Sequence, residues 1–485
     1  MRPNRVALGA VFLAGVLLYL PTARYRFVQD DRAIIVANPS AHSIGAGLRG
    51  FGQPYWPRPS EAGLYRPVTI LSLAIDWAVS QGSAAWMHIV NALWHGLVCL
   101  LVTLVLSRWL PAAGTIAAGL VFAWHPVHVE GVANIVSRNE LLAAAGMFGA
   151  VLAARRGWWA VAVCAAALAM LSKELAVVTG VVLMADYWLC HREARRPYPT
   201  GFWVALGVVT VVYVALWTQI GRAGAADVAA PFLHATAGQR LMIAFPANLR
   251  AAGLLFWPSS LSADYSPQVI ALHTGLSLAA MGGILVVLAA IAAAWFCRSS
   301  SPAISFVCVV AAITYLPTSN LLFPSGVILA ERDLYLPVIL AAGVFGAAVA
   351  WTEHHWPSRR GLLMAGVVLL ALVGRSWLRL PAWEDNRALL LTLLEDHPES
   401  YRGQQSAAAV LAGIGTQAAV QEAAQRYARA DSLFGGDPHL KAGFALFLLD
   451  HGDTVSAKRL VGEALALLPE EPVAIRVQQL LSPKK

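Results

Sequence analysis

Charged side chains are scarce in this chain: Asp, Glu, Lys and Arg make up 13% of its 485 residues, about half the ~25% usual in a soluble domain. That shortage excludes an ordinary soluble globule, whose surface needs those charges. Cysteine is sparse too. The five cysteines (Cys99, Cys164, Cys190, Cys297 and Cys308) lie in or beside apolar runs, with no CxxC or Cys/His spacing. This argues against a disulfide framework or a thiolate metal site. No small-x-small cleavage motif follows the first apolar run, where Leu20-Pro21-Thr22-Ala23-Arg24 stands instead. The run therefore reads as an uncleaved first span rather than an export signal.

What fills the chain is apolar: 58% of residues are hydrophobic and the mean hydropathy is +0.61. Runs at 6–20, 89–106, 158–171, 276–296 and 362–373 recur between charged loops, the longer ones approaching the ~20 residues that a bilayer core needs. The sequence thus predicts an all-α polytopic membrane protein of about eleven spans, at about 6–21, 87–107, 112–126, 139–154, 158–172, 174–190, 201–219, 271–296, 303–321, 334–352 and 361–378. With the N-terminus in the cytoplasm, the short inside segments hold Arg2, Arg5, Arg108, Arg155, Arg156, Arg192, Arg195, Arg196, Arg298, Arg359 and Arg360, as the positive-inside rule asks. The pI of 9.4 is then a topology signal, and no nucleic-acid partner is implied. An odd number of spans leaves the C-terminal region outside. Two long outer segments, about 22–86 and 220–268, hold an amphipathic stretch at 70–79 and an apolar one at 239–257 that suits a re-entrant or interfacial helix.

From about Pro381 charges become frequent and apolar residues fall at helical spacing. Gly436-Asp437-Pro438 and Glu470-Glu471-Pro472 mark a repeated break with prolines about 34 residues apart, the tetratricopeptide period. A turn at Asp450-His451-Gly452-Asp453 separates two helices of one repeat, and 397–434 reads as a degenerate preceding repeat; a plain helical hairpin packed on the membrane domain is the alternative. The expected division is a membrane domain over 1–380 and a small tetratricopeptide-like helical domain over 381–485, resting on it.

Ionisable residues near spans are costly and mark functional candidates. Here they gather at the expected outer ends: Asp30-Asp31 after the first span, His125, His128 and Glu130 after the third, Arg138 and Glu140 at the fourth, Lys173-Glu174 between the fifth and sixth, and Glu331-Arg332-Asp333 before the tenth. Each also has a plainer reading. Paired aspartates suit a solvated turn or an N-cap, His125 before proline suits a helix-end contact, Lys173-Glu174 an ion pair holding a tight turn, and Arg332 a snorkelling cation. Together, a carboxylate that takes a proton from an acceptor hydroxyl and cations that stabilise a departing phosphate fit group transfer from a lipid-phosphate carrier. Spacing alone fits transport equally.

Phe27-Val28-Gln29-Asp30-Asp31-Arg32-Ala33-Ile34 with Asn38-Pro39, Tyr65-Arg66-Pro67, the run from Phe122 through Trp124-His125-Pro126-Val127-His128-Val129-Glu130 to Asn134, Ser137-Arg138-Asn139-Glu140, Leu171-Ser172-Lys173-Glu174 and Ala330-Glu331-Arg332-Asp333-Leu334-Tyr335-Leu336-Pro337 together resemble the transmembrane and tetratricopeptide-repeat O-mannosyltransferases and their bacterial relatives. The resemblance implies a GT-C-type glycosyltransferase that moves a sugar from a polyprenyl-phosphate donor to a hydroxyl acceptor, a protein Ser or Thr, on the non-cytoplasmic face; a single displacement at the anomeric carbon would invert it. It gives the catalytic carboxylate to Asp30 or Asp31. Donor-phosphate contacts fall to Arg66, Arg138, Lys173 and Arg332. His125, His128, Glu130, Glu140, Glu174 and Glu331 then lie around the sugar or behind the residues that touch it. A divalent metal at the paired aspartates is compatible but not required. Short Arg-rich inside loops fit a bacterial inner membrane. The competing readings are a membrane scaffold recruiting partners through its repeats, and a transporter of lipid-linked sugar, which calls for internal symmetry that the spans lack. The sugar, the acceptor and the carrier length are left open.

Overall fold

The computed structural model describes residues 3–57, 63–190, 197–221, 228–273, 275–355 and 359–482. Its described residues are mainly helical, with a single isolated bridge between Pro267 and Ile270 in place of any strand. Each predicted span coincides with a helix, and six helices are long and apolar enough to cross a membrane: Arg5–Arg24, Ala84–Leu106, Ile135–Arg155, Thr200–Ile220, Leu278–Ser300 and Gly361–Trp383. The protein is a multi-pass integral membrane protein. The others, such as Ala112–Trp124 and Pro302–Tyr315, are shorter. At ~1.5 Å per residue a 13-residue helix such as Ala112–Trp124 falls short of a ~30 Å core, so it finds its place inside the bundle. Of the predicted inside residues, Arg2, Arg192, Arg195 and Arg196 lie outside the described residues.

Some boundaries move for local reasons. The span expected at 271–296 begins at Leu278, because Ser277 caps it by accepting from Ala280 N at 3.1 Å. The span expected from 334 begins at Ile339, because Glu331–Leu334 forms a 3-10 turn and the chain reaches the helix only past Pro337. The stretch expected at 239–257 is the helix Ala237–Phe256, opened by a capping box between Thr236 and Gln239. It buries Ile243, Ala244, Ala247, Ala251, Leu254 and Leu255 on one stripe.

Helices approach closely where small residues meet, as expected when lipid supplies no hydrophobic drive between them. A Cβ on Gly96 would meet Val16 Cγ2 at 2.6 Å, which fixes the first span against Ala84–Leu106. Gly114 and Gly346 lie against each other's carbonyls in the same way.

The C-terminal part holds Asn386–Asp396 and then two antiparallel pairs, Tyr401–Ile414 with Gln417–Leu433 and Pro438–Asp450 with Thr454–Leu467, followed by Pro472–Leu481. The repeated acidic-proline breaks are helix starts. Asp437 accepts from His439 N at 2.8 Å, Glu471 accepts from Ala474 N, and each following proline takes the first helical position, where no N–H is needed. These helices rest on the bundle through polar ties. Glu384 O accepts from Arg26 N (2.9 Å), Asn386 Oδ1 from Gln29 N (2.8 Å), and Ser400 Oγ donates to Asp264 Oδ2 (2.7 Å). Trp383 is fully buried in the main core.

Candidate active site

The first motif resolves into two aspartates with different fates. Gln29 takes a left-handed backbone conformation (φ 45°), uncommon for a residue with a side chain, and its N–H is held by Asn386. After this turn Asp31 is fully buried. One of its oxygens accepts from Val28 N at 3.0 Å and the other from Val136 N at 2.8 Å. It staples the first loop to the turn before Arg138. Burial raises its pKa to about 7 against the pull of those backbone N–H groups. Asp30 is only partly buried and its carboxylate has no hydrogen-bond partner among the described residues. It lines a cavity of about 380 Å³, within the ~300–1,000 Å³ range of small-molecule sites.

That cavity is walled by the first loop (Gln29, Asp30), the segments 263–267 and 327–332, and the C-terminal helix start Tyr401-Arg402. Arg332 enters it from the Glu331-Arg332-Asp333 turn. Glu130 fixes Arg332 by accepting from its backbone N (3.0 Å) and its Nη1 (2.5 Å), and the Arg332 side chain stays 32% exposed. Burial opposes the charge on Arg332, but Glu130, Asp333 and Asp30 outweigh it and push its pKa up. Glu331 points away into the core, where one oxygen accepts from Ser262 N (2.6 Å) and Tyr265 Oη (2.8 Å). Burial brings its pKa to about 7, although Arg379 works against the shift.

Behind the cavity the remaining charged candidates are spent on one another. Arg66 grips Glu174 with two parallel hydrogen bonds (Nε–Oε2 2.8 Å, Nη2–Oε1 2.5 Å) and stacks 4.9 Å from the Tyr55 ring centroid. Lys173 bridges Glu140 and, at 3.2 Å, Asp333. Arg138 is fully buried and held by Asp76, Asn91 (2.7 Å), Met87 O (2.9 Å) and Ser72 (3.3 Å). The structure places it among these partners, and it does not line the cavity. The histidines are buried in the same way. His125 meets Leu255 O (3.0 Å) and receives Val127 N on its other nitrogen (3.3 Å), while His128 Nε2 meets Tyr335 O at 3.0 Å.

Three participants escape sequence reading. Asp76 pairs with Arg138; as the one charge inside the apolar stretch 70–79, it carried a readable signal. Asn386 and Arg402 sit among many polar residues of the C-terminal region and carry none. At the far end of Arg138–Arg155, about 27 Å away for 18 residues, Arg155 pairs with buried Asp186 at 2.6 Å, so the motif charges do gather at one end of the bundle. Among the described residues no group of three or more His, Cys, Asp or Glu side chains is arranged to hold a metal. Of the two aspartates considered for a metal, only Asp30 has its oxygens uncommitted.

No family model matches the chain. Its homologues among curated proteins are protein O-mannosyl-transferases, which bears out the resemblance carried by the motifs. One from Caenorhabditis elegans is 26% identical over 77% of this chain and 55% of its own length. TMTC4 of Mus musculus is 26% identical over 81% of this chain and 62% of its own length. TMTC3 of Homo sapiens is 25% identical over 64% and 39%. The chain thus spans about half the length of the curated relatives it matches. Among solved structures, ArnT from Cupriavidus metallidurans bound to undecaprenyl phosphate aligns over 99% of this chain and 78% of that one, at 15% identity and a TM-score of 0.40.

Proposed function

We propose that the chain is a GT-C-type membrane glycosyltransferase that moves a sugar from a polyprenyl-phosphate donor to a hydroxyl of a protein acceptor. The reading rests on one observation above the rest: Asp30 offers an uncommitted carboxylate to the cavity that Arg332 enters. In this reading Asp30 accepts the proton of a Ser or Thr hydroxyl as its oxygen bonds to the anomeric carbon. The bond from that carbon to the phosphate oxygen breaks, and the lipid phosphate leaves against Arg332. A single displacement inverts the anomeric centre. Asp31 holds the loop that presents Asp30. The Arg66–Glu174 and Lys173–Glu140–Asp333 pairs fix the floor behind the cavity. The reaction is placed on the non-cytoplasmic face, with the N-terminus inside and the C-terminal helices outside, as the arginine-rich loops suggest. A bacterial inner membrane fits that orientation. The boundary near residue 380 then separates a membrane catalytic domain from a tetratricopeptide-like domain that closes the cavity.

The test is transfer of radiolabelled sugar from a polyprenyl-phosphate-sugar to protein in membranes carrying the full chain, with the product digested by glycosidases of known anomeric specificity. Label in the inverted configuration supports the reading, whereas a retained configuration contradicts single displacement. Failure to label from a panel of donors favours a scaffold.

A further inference from the structure

The cation that sequence reading missed has no direct ion pair among the described residues, although Asp264 and Asp437 act on its charge from farther off. Arg332 is paired with Glu130, Lys173 with Glu140 and Asp333, and Arg66 with Glu174. Arg402 lines the same cavity, yet among the described residues it makes no ion pair; its one hydrogen bond runs from Nε to Tyr401 Oη at 3.1 Å. That leaves both Nη groups of a half-buried guanidinium free. Arg402 stands in the first turn of Tyr401–Ile414, where the helix dipole already places positive charge and a cation is unfavourable. Two positive features stand at one cavity wall, and the cavity's own carboxylates, Asp30 and Asp264, form no ion pair with Arg402 among the described residues, which leaves its Nη groups open to an external anion.

The mount is stiff. Tyr401 is fully buried and donates to Asp437 Oδ2 at 2.7 Å, and Asp437 in turn caps the next helix pair. Ser400 caps Arg402's helix by accepting from Gly403 N (2.9 Å) and ties it to Asp264 in the cavity wall. A flexible surface arginine would lack such a base.

We propose that Arg402 is a substrate-binding residue: with Arg332 it grips the phosphate of the lipid-linked donor, so that the C-terminal helices supply part of the site. The inference rests on the glycosyltransferase reading and extends it. A guanidinium fork matches phosphate oxygens, while the neutral carbonyls and hydroxyls of a polypeptide acceptor call for no unpaired cation.

The test measures binding of polyprenyl monophosphate, without sugar, to the purified full chain by titration calorimetry, with inorganic phosphate as a second titrant. Arg402→Gln should weaken polyprenyl monophosphate by about tenfold or more, and Arg402→Lys should recover part of the loss. Arg429→Gln, exposed on the neighbouring helix, should change nothing. In sugar transfer, Arg402→Gln should raise the donor KM and leave the acceptor KM alone. Unchanged lipid-phosphate binding in Arg402→Gln overturns the inference. So does an Arg402-dependent site that takes inorganic phosphate but not the lipid, or a shift in the acceptor KM alone. Should wild type transfer no sugar from any donor, the glycosyltransferase reading falls, while the binding data still judge Arg402.

Discussion

Two charged regions meet at one end of this bundle, built from the same residue types and put to different use. In the layer behind the cavity, Arg66, Arg138 and Lys173 are each closed by carboxylates within hydrogen-bonding distance. Around the cavity, among the described residues, the Asp30 carboxylate has no hydrogen-bond partner, Arg332 is only partly taken up, and Arg402 has no ion pair. Buried charges survive only when paired and hydrogen-bonded, so the first region holds shape. Charges left unpaired beside an open space are held in readiness for something that enters it. Conspicuous charge in a membrane-protein sequence therefore marks a site only coarsely: pairing decides which residues support the site and which do its work.

The comparison is most sharply tested by opening a closed pair. Arg138→Met strands Asp76 in the core and should cost about 3–5 kcal/mol, the usual toll of breaking a buried ion pair, read as a large drop in the thermal midpoint of the detergent-solubilised protein. Adding Asp76→Asn removes the stranded charge while its amide oxygen keeps the hydrogen bond from Trp86, and should restore most of the loss. If the double variant is no better than the single one, charge pairing is not what Arg138 supplies.

Asp31→Asn is milder. An amide in place of the carboxylate turns an NH2 toward one of the two backbone N–H groups now bound, costing about 1–3 kcal/mol in the same measurement. A smaller, pH-dependent effect belongs to Glu331. Its pKa is raised to about 7 in the fold against an ordinary value of about 4.3. Its contribution to stability is therefore full below about pH 4 and lost as the pH rises through about 7. Compared with Glu331→Gln, wild type should lose ground in thermal midpoint between pH 4.5 and pH 8. A difference that is flat over that window contradicts the buried, uncharged state.

Much of the fold was legible. Long apolar runs between arginines locate the spans because lipid demands them, and the acidic-proline breaks locate helix starts because a capping carboxylate followed by proline satisfies local rules at Asp437 and Glu471. The charged motifs were legible as a cluster but not as a division of labour. Nothing in Asp30-Asp31 says which carboxylate is consumed by backbone amides; a left-handed turn at Gln29 decides that, and Asn386, more than 350 residues later, holds the turn. Arg402 was invisible for a similar reason. Its meaning comes from the cavity it faces, and its sequence neighbours look like any solvated helix.

Whether Asp30 works while Asp31 supports it is decided by labelled-sugar transfer by wild type, Asp30→Asn and Asp31→Asn in membranes matched for folded protein. Asp30→Asn should lose about 10²-fold or more of the rate, the usual worth of a general base, with its thermal midpoint unchanged. Asp31→Asn should keep activity in proportion to the protein that stays folded. Full activity in Asp30→Asn, or the deeper loss falling on Asp31→Asn, would contradict the account.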